Sequence, residues 1–109
     1  MDFAEYQRRA RTTAVYPGVG ENLLYPTLGL CGEAGEVAEK VKKMLRDDAG
    51  VLTEERRAAL GAELGDVLWY VAQVAAEARL ELDAVAAGNL AKLASRAERS
   101  ALTGDGDDR

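Results

Sequence analysis

The sequence contains no histidine and only one cysteine, Cys31, and both scarcities limit the chemistry that the protein can perform. Histidine is the commonest general base near neutral pH and a frequent zinc ligand, so a histidine-based zinc site or catalytic triad is excluded. A single cysteine cannot form an intramolecular disulfide, which fits a reducing compartment. Its apolar neighbours predict that Cys31 is a small core residue and not a nucleophile. Acid–base chemistry therefore falls to carboxylates, lysine or tyrosine.

The chain also lacks an excess of basic residues and any long apolar run. It has 14 Lys and Arg against 19 Asp and Glu, which gives a formal net charge of −5. Binding to a nucleic-acid backbone needs a basic face, so we expect no nucleic-acid partner. No apolar run reaches the length that spans a membrane, and the first residues show no signal-peptide pattern. We therefore expect a cytoplasmic protein.

Apolar residues recur at helical spacing in four segments, and no alternating strand pattern occurs. The predicted helices cover residues 3–15, 26–46, 53–78 and about 82–101. We predict one all-α domain, a four-helix bundle over residues 1–102, followed by a disordered polar tail at 103–109. Because a chain of 109 residues forms only a modest core, we also expect a homo-oligomer that buries more apolar surface.

Two pairs of carboxylates lie within the second and third predicted helices. The first pair is Glu33 and Glu36, and the second pair is Glu63 and Asp66. Residues i and i+3 share a helix face, and both pairs border the apolar stripe of their helix instead of lying opposite to it. Antiparallel packing of the two helices would bring four carboxylates together. Their negative charges would repel one another, and Mg²⁺, which prefers oxygen ligands, would offset that repulsion.

The residues around the first acidic pair are unusual for an ordinary helix surface. Gly29, Gly32 and Gly35 lie inside the second helix, although each glycine costs about 1 kcal/mol relative to alanine in a helix interior. Close packing of another backbone and the approach of a ligand explain these glycines equally well. Lys40 and Lys43 lie one and two turns beyond Glu36, where they could contact phosphate oxygens or neutralise the acids.

Three further polar or aromatic positions are candidates for contacts. Tyr70 lies one turn beyond Asp66 on the same edge. Trp69 falls outside the apolar stripe, and we expect it to contact another subunit in preference to a nucleobase. Asn89 lies within the apolar stripe of the fourth helix with Lys92 beside it. Two explanations are open: a core asparagine with Lys92 and Arg96 as snorkelling cations, and a polar cluster that contacts a ligand.

The order of these motifs resembles that of the MazG-like nucleoside triphosphate pyrophosphohydrolases, an all-α superfamily. The family pattern E-x-x-E followed by E-x-x-D matches the two acidic pairs. The flanking sequence matches too: Tyr25-Pro26, then LGLCGEAGE at 28–36, ELGDVLWY at 63–70, and the late N-x-x-K element within 89–93. The resemblance covers roughly residues 3–99.

The resemblance implies hydrolysis of a (d)NTP between its α and β phosphates, which gives a (d)NMP and pyrophosphate. The four carboxylates would act as catalytic residues and hold Mg²⁺, with Mn²⁺ as a substitute, and one of them could instead be the general base. The resemblance also implies that Tyr70, Asn89 and Lys92 bind the nucleotide and that the chain forms dimers or dimers of dimers. Lys40 and Lys43 are added as phosphate contacts from their spacing alone.

Two alternative functions stay open. A dUTPase-like enzyme or a phosphoribosyl-ATP pyrophosphohydrolase of the same superfamily would perform the same chemistry on a different substrate. A helical interaction protein without catalytic activity would carry the same acids as an ordinary solvated surface. The two classes differ in one measurable respect, because only the enzyme is expected to gain thermal stability from Mg²⁺.

Overall fold

A computed structural model describes residues 1–99 as four α-helices, with no strand in that range. The helices are α1 Phe3–Arg11, α2 Leu24–Asp47, α3 Glu54–Glu77 and α4 Leu82–Glu98. The predicted all-α fold is therefore confirmed. The predicted tail at 103–109 and the last residues of the predicted domain lie outside the described range. None of the described helices combines the length and the hydropathy needed to cross a membrane.

Local hydrogen bonds explain where two of the helices, α1 and α3, begin. Asp2 Oδ1 accepts a hydrogen bond from the Glu5 N–H (2.8 Å), and Thr53 Oγ1 accepts one from the Arg56 N–H (3.1 Å). These are N-caps that satisfy otherwise unpaired donors of the first helical turn. The start of α2 differs from the prediction, because the helix begins two residues before Pro26.

The end of α1 also differs from the prediction. The helix stops at Arg11, four residues earlier than the apolar spacing suggests. The hydroxyl of Thr12 donates to the Arg9 carbonyl (2.7 Å), and the hydroxyl of Thr13 donates to the Ala10 carbonyl (2.6 Å). These side-chain bonds satisfy carbonyl groups of the last turn and compete with continuation of the helix.

The helix packing is uneven. α2 and α3 pack along each other as a long helical hairpin, whose connection is residues 48–53. α1 packs on α3, and α4 contacts both α1 and α3. Within residues 1–99, α4 makes no contact with α2, so the four-helix bundle is open on that side.

A small core lies between α1, α3 and the start of α4. Ala10, Ala72 and Leu82 are buried there, and Trp69 packs against them. The indole N–H of Trp69 donates to Thr13 Oγ1 (2.8 Å). Trp69 therefore contacts α1 within the same chain although it lies outside the predicted apolar stripe, and its contact with another subunit stays a prediction.

The start of α4 is fixed by α1. The Gln7 side chain accepts a hydrogen bond from the Leu82 N–H (2.8 Å) and donates one to the Leu80 carbonyl (2.9 Å). Beyond Leu82, most of α4 is exposed. Cys31 on α2 is exposed as well, so the prediction that it is a core residue is wrong.

Candidate metal centre

Three carboxylates of the α2–α3 hairpin converge. Glu33 lies on α2, and Glu63 and Asp66 lie on α3; one carboxylate oxygen of each lies within 4.8 Å of the other two. Oxygens that ligate one Mg²⁺ at 2.0–2.1 Å lie about 3 to 4 Å apart, so small side-chain movements would bring these oxygens to ligand positions. We call these three residues the carboxylate cluster.

Glu36, the fourth predicted ligand, is not part of this cluster. It lies one turn from Glu33 on α2 and is exposed. It is still close enough to act on its neighbour electrostatically, because its negative charge is one of the causes that raise the pKa of Glu33. The structure therefore brings together three of the four predicted carboxylates and leaves Glu36 at the edge.

The electrostatics of the cluster are those of crowded acids. The pKa of Glu33 is raised above the usual glutamate value, first by a hydrogen bond shared with the Glu63 carboxyl group, and then by desolvation and neighbouring negative charges. Facing carboxyl groups relieve their repulsion by sharing a proton or by binding a cation.

Glu63 is largely shielded from solvent, and its two oxygens have different surroundings. Its side chain is only 12% exposed, and its Oε1 lies 3.5 Å from Lys40 Nζ. Its other oxygen, Oε2, is buried and has no hydrogen-bond partner in the described part of the chain. A buried polar atom without a partner is costly, and such atoms are rare in folded proteins. A group of carboxylate oxygens with one buried oxygen unpaired fits a hard divalent cation.

The two predicted lysines lie in different places. Lys40 contacts the carboxylate cluster through Glu63. Lys43 is exposed, and its charge acts on Glu39 and Asp47 near the end of α2. Among residues 1–99, the structure shows no contact between Lys43 and the carboxylate cluster.

Tyr70 lies beside the carboxylate cluster and packs directly on Gly29. A Cβ atom at Gly29 would overlap carbons of the Tyr70 ring, so this position of α2 has no room for a side chain. The pKa of Tyr70 is raised, first by burial and then by nearby negative charges that include Glu33 and Asp66. The phenol therefore lies at the edge of the cluster, as its position in the sequence predicts.

The other two glycines of α2 have a different environment. A Cβ atom at Gly32 or at Gly35 would meet no described atom within 4 Å outside its own helix. Close packing within the chain therefore explains Gly29 alone. Gly32 and Gly35, which flank Glu33 in the sequence, therefore leave the surface of α2 without side chains at these two positions.

An aromatic cluster connects Tyr70 to the loop between α1 and α2. The rings of Trp69 and Tyr70 lie 5.0 Å apart and perpendicular, and those of Tyr16 and Tyr25 are stacked at 5.1 Å. Tyr16 also meets the Trp69 ring edge-on at 6.4 Å. This chain of contacts fixes the loop relative to α3.

Glu77 anchors the same loop and is not among the residues predicted from the sequence. Its side chain is 1% exposed. It accepts hydrogen bonds from the Tyr16 hydroxyl, from the backbone N–H groups of Gly20 (2.8 Å) and Asn22 (3.0 Å), and from Arg11 Nη2 (3.0 Å). Burial alone would raise its pKa, but these donors outweigh burial and lower the pKa to about 2.

A signal for Glu77 is present in the sequence. Glu63, Asp66, Tyr70 and Glu77 follow one another at spacings of three, four and seven residues, which keeps them on one flank of α3. Glu77 lies two turns beyond Tyr70 on this flank. Its donors come from α1 and from the loop, and no sequence spacing identifies them.

The two predicted contacts on α4 are not brought to the carboxylate cluster within one chain. Asn89 and Lys92 are exposed, and α4 does not contact α2 in the described range. The explanation of Asn89 as a core asparagine is therefore wrong.

Known proteins resemble this chain over most of its length. The family model described as the MazG nucleotide pyrophosphohydrolase domain matches residues 23–100. The "Gene 37 protein" of Mycobacterium phage L5 is 54% identical over 109 residues, which cover 95% of this chain and 96% of that protein. That name states no activity. No solved structure matches the chain.

Proposed function

Because the chain belongs to the MazG nucleotide pyrophosphohydrolase family, we propose that it hydrolyses nucleoside triphosphates between the α and β phosphates. Water would attack the α phosphorus, the bond from this phosphorus to the bridging oxygen would break, and pyrophosphate would leave with a (d)NMP as the second product. The observation that carries this proposal is the carboxylate cluster with its buried Glu63 oxygen, which has no hydrogen-bond partner among residues 1–99. Such a cluster would bind the divalent cation that offsets the negative charge of a triphosphate.

Glu33, Glu63 and Asp66 would hold Mg²⁺, and Mn²⁺ would substitute for it. When bound, the cation would supply positive charge that offsets the charge of the phosphate oxygens during the attack of water. Glu36 is exposed and lies one turn from Glu33, so we assign it the role of general base or of an additional ligand. Tyr70, fixed against Gly29 at the edge of the cluster, would orient the nucleotide.

A second copy of the chain would complete the site. Asn89 and Lys92 lie on α4 between two apolar residues, Val85 and Leu93, which are 43% and 38% exposed. Val85, Asn89 and Leu93 are spaced four residues apart, so they share one helix face. We propose that a partner copy covers this face and places Asn89 and Lys92 near a nucleotide. Light scattering in solution would measure the assembly, and a monomer with full activity would contradict this part of the proposal.

The test is pyrophosphate release from a panel of nucleotides with Mg²⁺ or Mn²⁺. The panel includes the common (d)NTPs, dUTP and phosphoribosyl-ATP. We expect release from at least one (d)NTP, and preference for phosphoribosyl-ATP over every (d)NTP would instead favour that relative of the same superfamily. Lys43 is tested in the same assay, because Lys43→Met should raise the KM if this exposed lysine contacts phosphate.

A matched pair of α3 variants connects activity to the cation. We expect Mg²⁺ to raise the melting temperature of the wild type but not that of Glu63→Gln, which should also lose turnover. The control is Glu55→Gln, because Glu55 is an exposed glutamate in the first turn of α3. If the wild type shows neither pyrophosphate release nor stabilisation by Mg²⁺, the helical interaction protein is the better description.

A further inference from the structure

Lys40 extends from α2 to the Glu63 carboxylate of the cluster. Its Nζ lies 3.5 Å from Glu63 Oε1, and the two side chains are 33% and 12% exposed. Lys40 also lines a cavity of about 180 Å³ between the two helices, together with apolar side chains that include Met44 and Leu60. The apolar stem of the lysine therefore packs inside the hairpin, while its ammonium group faces the cluster.

This ion pair differs from the pair of Lys42 and Glu39 on the same helix. Lys42 and Glu39 pair at 2.8 Å, but both belong to α2 and are 60% and 45% exposed. Exposed pairs of that kind contribute little to stability. The pair of Lys40 and Glu63 joins two helices, and it offsets the charge of a carboxylate whose second oxygen has no hydrogen-bond partner in the described part of the chain. Removal of one member of a shielded pair leaves the other uncompensated.

We propose that Lys40 is the counter-ion of Glu63 until a divalent cation binds. The incoming cation displaces the Lys40 ammonium group from Glu63, and this group is then free to bind the phosphates of the substrate. The proposal rests on the proposed metal site. A cation that takes Glu63 as a ligand removes the negative charge that holds the ammonium group in place. Lys40 then carries one positive charge on a flexible stem next to the site where the triphosphate binds. Metal binding and phosphate recognition are coupled through one side chain.

The proposal makes an unusual prediction for metal affinity. Loss of Lys40 should tighten binding of the metal, because the cation no longer has to displace the ammonium group. An ion pair of this exposure is worth up to about 1 kcal/mol, which corresponds to about a two- to fivefold lower dissociation constant for Mg²⁺. A lysine that merely positions Glu63 for the metal predicts the opposite sign, since its loss would weaken binding.

The experiment measures Mg²⁺ binding by calorimetry in the absence of nucleotide. Lys40→Met keeps most of the apolar stem and removes the charge, and Lys42→Met is the matched control with the same charge change on the same helix. We expect tighter Mg²⁺ binding and a lower melting temperature in EDTA for Lys40→Met, and values near those of the wild type for Lys42→Met. Lys40→Arg retains the charge and should bind Mg²⁺ no more tightly than the wild type.

A second measurement tests the release of Lys40 toward phosphate. At saturating Mg²⁺, Lys40→Met should bind a (d)NTP analogue with a non-hydrolysable α,β bridge more weakly than the wild type does, while Lys42→Met should not. Together with tighter metal binding, this opposite response distinguishes a displaced counter-ion from general loss of structure. If Lys40→Met does not fold, Lys40→Gln is measured in its place with the same expected signs.

The outcomes separate this inference from the proposed function. Unchanged or weaker Mg²⁺ binding by Lys40→Met, with normal binding by the wild type, would overturn the role of Lys40 alone. An equal gain in Lys40→Met and Lys42→Met would overturn it too, because general electrostatics would explain both. Absence of Mg²⁺ binding by the wild type would overturn the metal site and the counter-ion together.

Discussion

Replacement of Glu77 by glutamine should destabilise the protein strongly and in a pH-dependent way. The carboxylate is 1% exposed and accepts from Tyr16, Arg11 and two backbone N–H groups of the α1–α2 loop. A glutamine of the same shape has no negative charge, and its NH₂ group would face donors. At least one buried donor would lose its partner, and the Arg11 charge would lose its counter-ion.

The magnitude follows from the pKa of Glu77, which falls from 4.5 to about 2 in the folded protein. At 1.36 kcal/mol for each tenfold change in proton affinity, this fall corresponds to about 3 kcal/mol. The folded state binds the Glu77 proton less readily than the unfolded state. Its contribution is therefore fully present above pH 4.5 and is lost as the pH falls toward 2. We expect Glu77→Gln to lose about 3 kcal/mol of unfolding free energy at pH 7 and clearly less at pH 3.

Urea unfolding followed by tryptophan fluorescence measures this difference. Trp69 is the only tryptophan and meets the Tyr16 ring edge-on, so its emission reports on the region that Glu77 holds. The control is Glu5→Gln, because Glu5 and its partner Arg9 are 39% and 70% exposed and that substitution should cost less than about 0.5 kcal/mol. One protein concentration is used throughout, since association would add to the apparent stability. A loss no larger than that of Glu5→Gln, or one independent of pH, would refute the reasoning.

Two further predictions concern α2. Gly29→Ala should destabilise the protein by about 1 to 3 kcal/mol and lower turnover, because the new methyl group displaces the Tyr70 ring. Gly32 faces open space, so Gly32→Ala should instead raise the unfolding free energy, measured by chemical denaturation, by about 0.5 to 1 kcal/mol. Equal effects of the two glycine variants would contradict the contact with Tyr70. Glu36→Gln should abolish pyrophosphate release but keep the Mg²⁺-induced rise in melting temperature, whereas Glu63→Gln should lose both. If Glu36→Gln also loses the rise in melting temperature, Glu36 is a metal ligand and not the general base.

The sequence predicts the elements of this fold well, because they depend on local physics. Apolar spacing identifies all four helices, and the capping side chains of Asp2 and Thr53 fix two of their starts. The spacing between Glu36 and Glu63 allows one helix to end and the next to return, and this predicts that the two acidic pairs face each other. Three of the four carboxylates do converge.

Other features depend on contacts between segments, which the sequence alone does not define. An apolar stripe indicates that a face is buried, but not whether it is covered by another helix of the chain or by a second copy. The stripe of α4 therefore predicts a closed bundle, although Leu90 on that helix is 68% exposed. Trp69 shows the converse, because a residue outside the predicted stripe of α3 packs against α1.

The division between the α2–α3 hairpin and α4 has a consequence for how this protein can evolve. The converging carboxylates belong to two helices joined by one short connection, and in the described range α4 does not touch α2. Substitutions on the exposed face of α4 would therefore change its contacts with a partner copy or a nucleotide while leaving the contacts between α2 and α3 in place. If the proposed function holds, a hairpin that retains its acids would keep its hydrolytic chemistry while α4 diverges toward other substrates and partners.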